Sequence, residues 1–261
     1  MSGSMTVVPK AMEFTQTEIQ EMRMEIITLF DGRSRKHMRI RQGLHLFHNN
    51  MVVKHGAGLK SKDEFENQLR VWSLVDPSIV RVPQPIDHFQ HTYPGRRHPT
   101  GFIVMEYVAN CERQLGRLLD AQIDQDRGIM FGDFPGFAPK PGSMEVPNQW
   151  IHKRRNLWPD VKPKSFVDFG EFDLVLCRMD IYAGDILWPI DGGAPWLFNW
   201  KRAVYLPRLF QYFTHMVNPR DHKDFHSRIL PKLEPLTERE TELQSIFITA
   251  WGNSIRADIK D

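Results

Sequence analysis

Leu174-Val175-Leu176-Cys177-Arg178-Met179-Asp180-Ile181-Tyr182-Ala183-Gly184-Asp185-Ile186-Leu187-Trp188 is the stretch whose reading decides the rest of the chain. An apolar run from Leu174 to Cys177 enters a turn bearing Asp180. A second carboxylate, Asp185, follows five residues on, and Ile186-Leu187-Trp188 reads as the next strand. Phosphoryl transfer uses a loop of this layout: one carboxylate accepts the proton of an alcohol, and about five residues later an oxygen donor holds the magnesium that screens the phosphates. A third group must complete the metal site from a nearby turn, and Trp196-Leu197-Phe198-Asn199-Trp200 offers Asn199 there.

On these residues Leu174 to Tyr212 resembles the aminoglycoside phosphotransferase family, the small-molecule kinases with a protein-kinase-like fold, and above all its fungal branch. That branch shows a His-Met-Asp or His-Gly-Asp core, then Asn, then an Asp-Trp pair, then a Tyr-Pro-Arg run. Asp180 matches the catalytic aspartate, and Tyr205-Leu206-Pro207-Arg208 is similar to the later run. Three positions depart from the pattern. Arg178 stands for the usual His, Asp185 for the usual Asn, and Asn199 for the Asp that precedes Trp200. The two metal-ligand positions have exchanged types, so their summed formal charge is unchanged.

The resemblance implies an α+β, bilobal protein-kinase-like fold with a small antiparallel-sheet N-lobe and a mainly helical C-lobe. Residues 1–105 are the expected N-lobe, 106–108 the hinge and 109–261 the C-lobe. Met51-Val52-Val53-Lys54 ends a strand on a lysine, and Lys62 to Val75 follows as an amphipathic helix carrying Glu64 and Glu66. In a kinase-like fold such a lysine aligns phosphates and a helix glutamate holds it. Glu66 is the expected partner, because Leu69 and Trp72 follow it at core spacing. Val80-Arg81-Val82-Pro83-Gln84-Pro85 resembles the family's Val-Pro-x-Pro segment, and Phe102-Ile103-Val104-Met105-Glu106-Tyr107-Val108 its Ile-Val-Met-Glu-Tyr hinge. There the backbone around Glu106 and Val108 would meet an adenine.

Elsewhere the pattern gives structure rather than chemistry. Thr15-Gln16-Thr17-Glu18 has the form of a capping box, and Ile19, Met22, Ile26 and Leu29 recur behind it at helical spacing. Met38 and Ile40 alternate with Arg39 and Arg41 as a half-buried strand, and Asn49-Asn50 breaks Leu44 to Val53 into two pieces. His91 to Thr100 is a polar turn. Cys111 to Ile123 is helical in pattern, Gly128 to Pro147 a long Gly- and Pro-rich loop pinned by Phe131, Phe134 and Phe137, and Asn148 to Leu157 a short helix with a solvated basic face. Asp168, Glu171 and Asp173 read as a charged surface turn. Leu206 to Met216 and Glu238 to Trp251 read as helices, the latter opening on acidic residues as its dipole favours. His222 and His226 stand four apart, without the glutamate or third ligand that a zinc site requires.

Composition narrows the classes. With 34 basic against 32 acidic residues the formal net charge is +2, and the five basic residues between Arg33 and Arg41 have no interleaved aromatics. No nucleic-acid or membrane partner is expected. Cys111 and Cys177 form no disulfide framework, and no apolar run of 18 residues occurs, so the expected address is cytoplasmic.

Three functional readings stand. The leading one is an enzyme repurposed from phosphoryl transfer to cyclisation, isomerisation or addition on a small metabolite, needing no cofactor. In it Arg178 binds an anionic or enolisable group while Asp180 or Asp185 moves a proton. The second is an active phosphotransferase using ATP and Mg2+, with Asp180 as base and Asp185 and Asn199 as exchanged metal ligands. The third is a pseudokinase acting as a binding module.

Overall fold

The computed structural model describes residues 11–31, 38–41, 43–48, 50–112, 145–156, 168–179, 181, 183–190, 192–217 and 227–257. The chain is α+β, and it divides into two compact units, one of Met1–Leu118 with Gly184–Lys201, the other of Leu119–Ala183 with Arg202–Asp261. The segment carrying Asp185 and Asn199 therefore belongs with the unit that carries Lys54.

In the first unit, α1 (Gln16–Phe30) starts at Thr15, whose hydroxyl accepts from the Glu18 N–H while the Glu18 carboxylate accepts from the Thr15 N–H at 2.7 Å. This is the capping box read in the sequence. Strands β1 (Met38–Arg41), β2 (Leu44–Phe47), β3 (Met51–Ala57), β4 (Pro85–His91) and β5 (Thr100–Glu106) form one antiparallel sheet in the order β1-β2-β3-β5-β4. Helix α2 (Gly58–Leu74) joins β3 to β4. This sheet with its inserted helix is the protein-kinase-like arrangement that the sequence implied.

The period-2 alternation of a strand decides what each sheet face meets. Met51, Val53, Phe102 and Val104 pack with Met22 and Ile26 of α1. Their neighbours Val52, Ile103 and Met105 pack on the opposite face with Phe65 of α2. Lys54, two residues after Val52, is thereby turned toward α2, and His55 toward α1.

The three-stranded sheet of the same unit has the order β6-β8-β9, from β6 (Cys111–Glu112), β8 (Ile186–Pro189) and β9 (Trp196–Leu197). Cys111 and Glu112 thus belong to a strand and not to the start of a helix. Most of the segment read as helix, and the loop with Phe131, Phe134 and Phe137, lies outside the described residues, as do His222 and His226.

The second unit holds α3 (Glu145–Arg155), β7 (Leu174–Arg178), β10 (Ala203–Pro207), α4 (Leu209–Val217) and α5 (Glu238–Ala257). Its core joins Ile151, Phe169, Cys177, Leu206, Phe210, Phe213 and Phe247. Two expectations change. Leu206 and Pro207 end a strand paired with β7 rather than open a helix. Arg154, expected on a solvated face, is 2% exposed. The turn of Asp168, Glu171 and Asp173 is exposed, as read.

Burial pushes the Cys177 thiol up to about 12, against the carbonyl oxygens of Leu206 and Pro207 that its S–H faces at 3.6 and 3.7 Å. Because the thiolate is the reactive species, iodoacetamide at pH 8 is expected to modify half-buried Cys111 in the native protein and Cys177 only after denaturation. Equal native rates at the two thiols, read by peptide mass mapping, would contradict this packing.

Candidate functional site

Lys54 Nζ lies 2.5 Å from Glu64 Oε1, and the Glu64 side chain is 4% exposed. The expected partner was Glu66, and the structure corrects it: Glu66 points outward at 57% exposure and meets Lys62 at 3.5 Å. The reason lies in which stripe of α2 is buried. Ser61, Glu64, Gln68 and Val71 are the buried positions, spaced as one helix face, while Leu69 is 43% exposed. Glu66 sits about 200° around the helix from Glu64 at 3.6 residues per turn. The helix packs a largely polar stripe against the sheet, so the apolar residues that guided the sequence reading mark the wrong side.

Each buried polar group on this stripe has a use. Gln68 Nε2 donates to the Pro83 carbonyl at 2.8 Å, anchoring the segment before β4. Asn67 Nδ2 donates to the Trp200 carbonyl at 3.2 Å. Glu64 and Asn67 are three residues apart and share a helix side. One side of α2 therefore grips the strand lysine and, a turn further on, the loop that ends at Trp200.

That loop is docked a second time. The Arg81 N–H donates to the Pro195 carbonyl and the Leu197 N–H to the Arg81 carbonyl, both at 2.8 Å, and the Arg81 guanidinium lies 5.6 Å from the Trp196 ring centroid. Just beyond, the backbone takes Asn199 to φ +66°, a left-handed conformation that asparagine tolerates better than most side chains. Asp185 closes the short 3-10 turn Ala183–Asp185 and is 7% exposed. Its carbonyl accepts from the Phe198 N–H at 2.9 Å. Asn199 Nδ2 donates to Asp185 Oδ1 at 3.4 Å, a long contact on the scale of amide hydrogen bonds. The two residues singled out as metal ligands are thus adjacent, one an anionic and one a neutral oxygen donor, both of the hard type magnesium takes.

At the end of β5, the Glu106 N–H donates to the Gln84 carbonyl at 2.9 Å, and its carboxylate accepts from the Gln84 N–H at 3.0 Å. Burial raises the Glu106 pKa against the opposing pull of that hydrogen bond and of Arg81. The Glu106 side chain and amide are thus committed within the fold. Among the described residues no backbone partner meets Val108, two residues on.

The remaining candidates are in or beside the second unit's sequence. Arg178 ends β7 at 4% exposure, with its N–H donating to Gln211 Oε1 at 2.8 Å and its carbonyl accepting from Gln211 Nε2 at 3.2 Å. Asp180 lies outside the described residues. Glu64, Asn67 and Arg81 were missed as site-positioning residues. The available signal was the placement of polar residues at i, i+3 and i+7 on α2.

No family model and no curated protein matches the chain. Among solved structures it is similar to choline kinase LicA from Streptococcus pneumoniae, at 11% identity and TM-score 0.38, over 93% of this chain and 92% of that one. It is likewise similar to a choline/ethanolamine kinase family protein from Mesorhizobium loti, at 11% identity and TM-score 0.40, over 93% and 89%. A third similarity is to APH(2")-IIa in its ternary complex with streptomycin and ATP, at 11% identity and TM-score 0.38, over 77% and 75%. At such distances, what the site does has to be argued from its own geometry.

Removing the Glu64 carboxylate leaves Lys54 without its counter-ion and opens the buried stripe. Glu64→Ala is expected to cost about 1–2 kcal/mol, a fall of roughly 3–6 °C in Tm, whereas Glu66→Ala stays within about 0.5 kcal/mol. Differential scanning calorimetry on both variants checks this, and the reverse order would refute the assignment of partners.

Proposed function

We propose that the chain is an ATP-dependent small-molecule phosphotransferase in which the two magnesium ligands have exchanged types. The meeting of Asp185 and Asn199 carries this reading: two positions 14 residues apart, one ending the 3-10 turn and one following β9, each departing from the family pattern, hydrogen-bond to each other. A compensated pair keeps one negative charge and one neutral oxygen in the metal site. Two unrelated losses of function would not need to meet.

Bound ATP with magnesium would supply the transferable phosphoryl group and the cation that screens its charge. The chain's own residues do the rest. The Lys54 ammonium, fixed by Glu64, would hold the phosphates, and Asp185 would supply the buried carboxylate that the cation needs. Asn199 adds its amide oxygen, with the left-handed backbone holding it beside Asp185. Val108 offers its backbone N–H and C=O to the adenine edge. Asp180 takes the proton of the acceptor alcohol, the role its match to the family aspartate implies, a contribution on the order of 10²- to 10⁴-fold.

The repurposed enzyme led on sequence because Arg178 looked like an anion-binding residue. It is 4% exposed, and Gln211 holds its backbone N–H and C=O, so the residue is fixed at the end of β7 rather than on an open surface. The Lys54–Glu64 pair supplies a fixed cation, which suits phosphate chemistry.

The test is thermal stability with ATP and magnesium, separately and together, joined to ADP release. ATP with magnesium is expected to raise Tm by roughly 2–6 °C, and magnesium alone to do little. Asp185→Asn should abolish the magnesium-dependent part and lower ADP release by on the order of 10²-fold. Adding Asn199→Asp to that variant should recover both. No magnesium-dependent shift in the unaltered protein would turn the assignment to a repurposed enzyme or a binding module.

A further inference from the structure

A second cavity lies on the other face of β3. It has a volume of about 430 Å3 and is lined by His55, Gly56, Arg96, Arg97, His98, Pro99 and Thr100. His55 follows Lys54 directly, and alternation sends the two side chains to opposite sides of the sheet. The His55 ring lies against Phe30 of α1, with 4.9 Å between centroids, and not against α2. The cavity is therefore separate from the Lys54–Glu64 site.

The turn between β4 and β5 holds its cations in place. Tyr93-Pro94-Gly95-Arg96 closes with the Arg96 N–H donating to the Tyr93 carbonyl at 3.1 Å, and Gly95 has φ +80°. Proline second and a positive-φ glycine third are the type II pattern, which fixes where the next residues emerge. Tyr93 anchors the turn, being 8% exposed, with its hydroxyl donating to the Ile27 carbonyl at 3.3 Å. At the far end Thr100 pairs with both Ala57 and His91, so Arg96 to Pro99 is a short span tied at both ends.

The charge on this span is unbalanced. Among the described residues no carboxylate forms an ion pair with Arg96, Arg97 or His98. Asp31 is the carboxylate of this neighbourhood, and it and Arg96 act on the Tyr93 hydroxyl in opposite senses. Arg96, Arg97 and His98 are exposed on this span, where an anion can meet more than one of them. Arginine is the side chain best matched to phosphate, because its planar fork donates two parallel hydrogen bonds. The floor of the cavity is open, since nothing lies within 4 Å of where a Cβ on Gly56 would stand. Its volume is in the range of small-molecule sites, which are roughly 300–1,000 Å3.

We propose that this cavity binds a small, multiply charged phosphorylated anion, held by Arg96 and Arg97 with His98 and His55 as further polar contacts. Two adjacent arginines favour a ligand with two phosphoryl groups, or one carrying two charges, over a singly charged carboxylate. The assignment does not depend on phosphoryl transfer at the other site. Through β3, which carries Lys54 and His55 side by side, an occupant here would stiffen the strand that presents the lysine.

Inorganic pyrophosphate, without magnesium and with chelator present, is the probe. It is expected to raise Tm by roughly 2–5 °C at about 5 mM. Arg96→Ala with Arg97→Ala should remove the shift, and Gly56→Leu, which keeps both arginines and fills the cavity, should weaken binding by about tenfold or more. Lys54→Met should leave the shift intact. Loss of the shift in Lys54→Met with retention in the double arginine variant would overturn the assignment, because pyrophosphate would then occupy the other site. The absence of any shift in the unaltered protein, or a shift with a phosphoserine peptide alone, would equally overturn it. Unliganded Tm values of the double arginine and Gly56→Leu variants near that of the unaltered protein guard against a folding artefact, and the Lys54→Met shift is read against that variant's own unliganded Tm.

Discussion

The contact on which the first unit depends is the ion pair between Lys54 and Glu64. A carboxylate buried to 4% exposure is costly to leave unpaired, by a few kcal/mol, so the helix must present that position to the strand lysine. Once Glu64 faces the sheet, helical geometry fixes the rest of the stripe. Gln68 reaches Pro83, and Asn67 reaches Trp200. The loop with Asn199 is thereby held from α2 on one side and from Arg81 on the other. One electrostatic requirement positions a hydrogen-bonded scaffold, and the scaffold positions Asp185 beside Asn199.

On the proposed reading, the residue types at those two positions have a local reason. Position 199 sits in left-handed backbone, where asparagine is a favoured side chain, and its amide can donate to a neighbour. Two carboxylates 3.4 Å apart in a half-buried turn would repel when no cation is bound. An amide facing a carboxylate makes a hydrogen bond instead. The amide–carboxylate contact needs no cation to hold it. Charge is kept while the side that carries it changes.

Much of the fold was legible in the sequence. The Thr15 capping box, the break at Asn49-Asn50 and the strand ending on Lys54 are local signals, and each produced the element it announced. The two positions read as metal ligands from the family resemblance, Asp185 and Asn199, are hydrogen-bonded to each other. What failed was the facing of α2. Hydrophobic periodicity chose Leu69 and Trp72, yet the buried stripe is Ser61, Glu64, Gln68 and Val71, because the helix packs where hydrogen-bond partners wait rather than on apolar surface alone. Cys111 and Leu206 were misread for a related reason: short strands take their identity from partners remote in sequence, Pro189 for the first and Val175 for the second.

The proposed function rests on Asp185 and Asn199 acting as one divalent-cation site. Electron paramagnetic resonance of Mn2+, titrated into the protein with a non-hydrolysable ATP analogue, measures this most directly. The account predicts a bound Mn2+ signal that Asp185→Ala weakens by about tenfold or more, with Asn199→Ala weakening it less, as expected for an anionic against a neutral ligand. Mn2+ binding that neither substitution alters would contradict it.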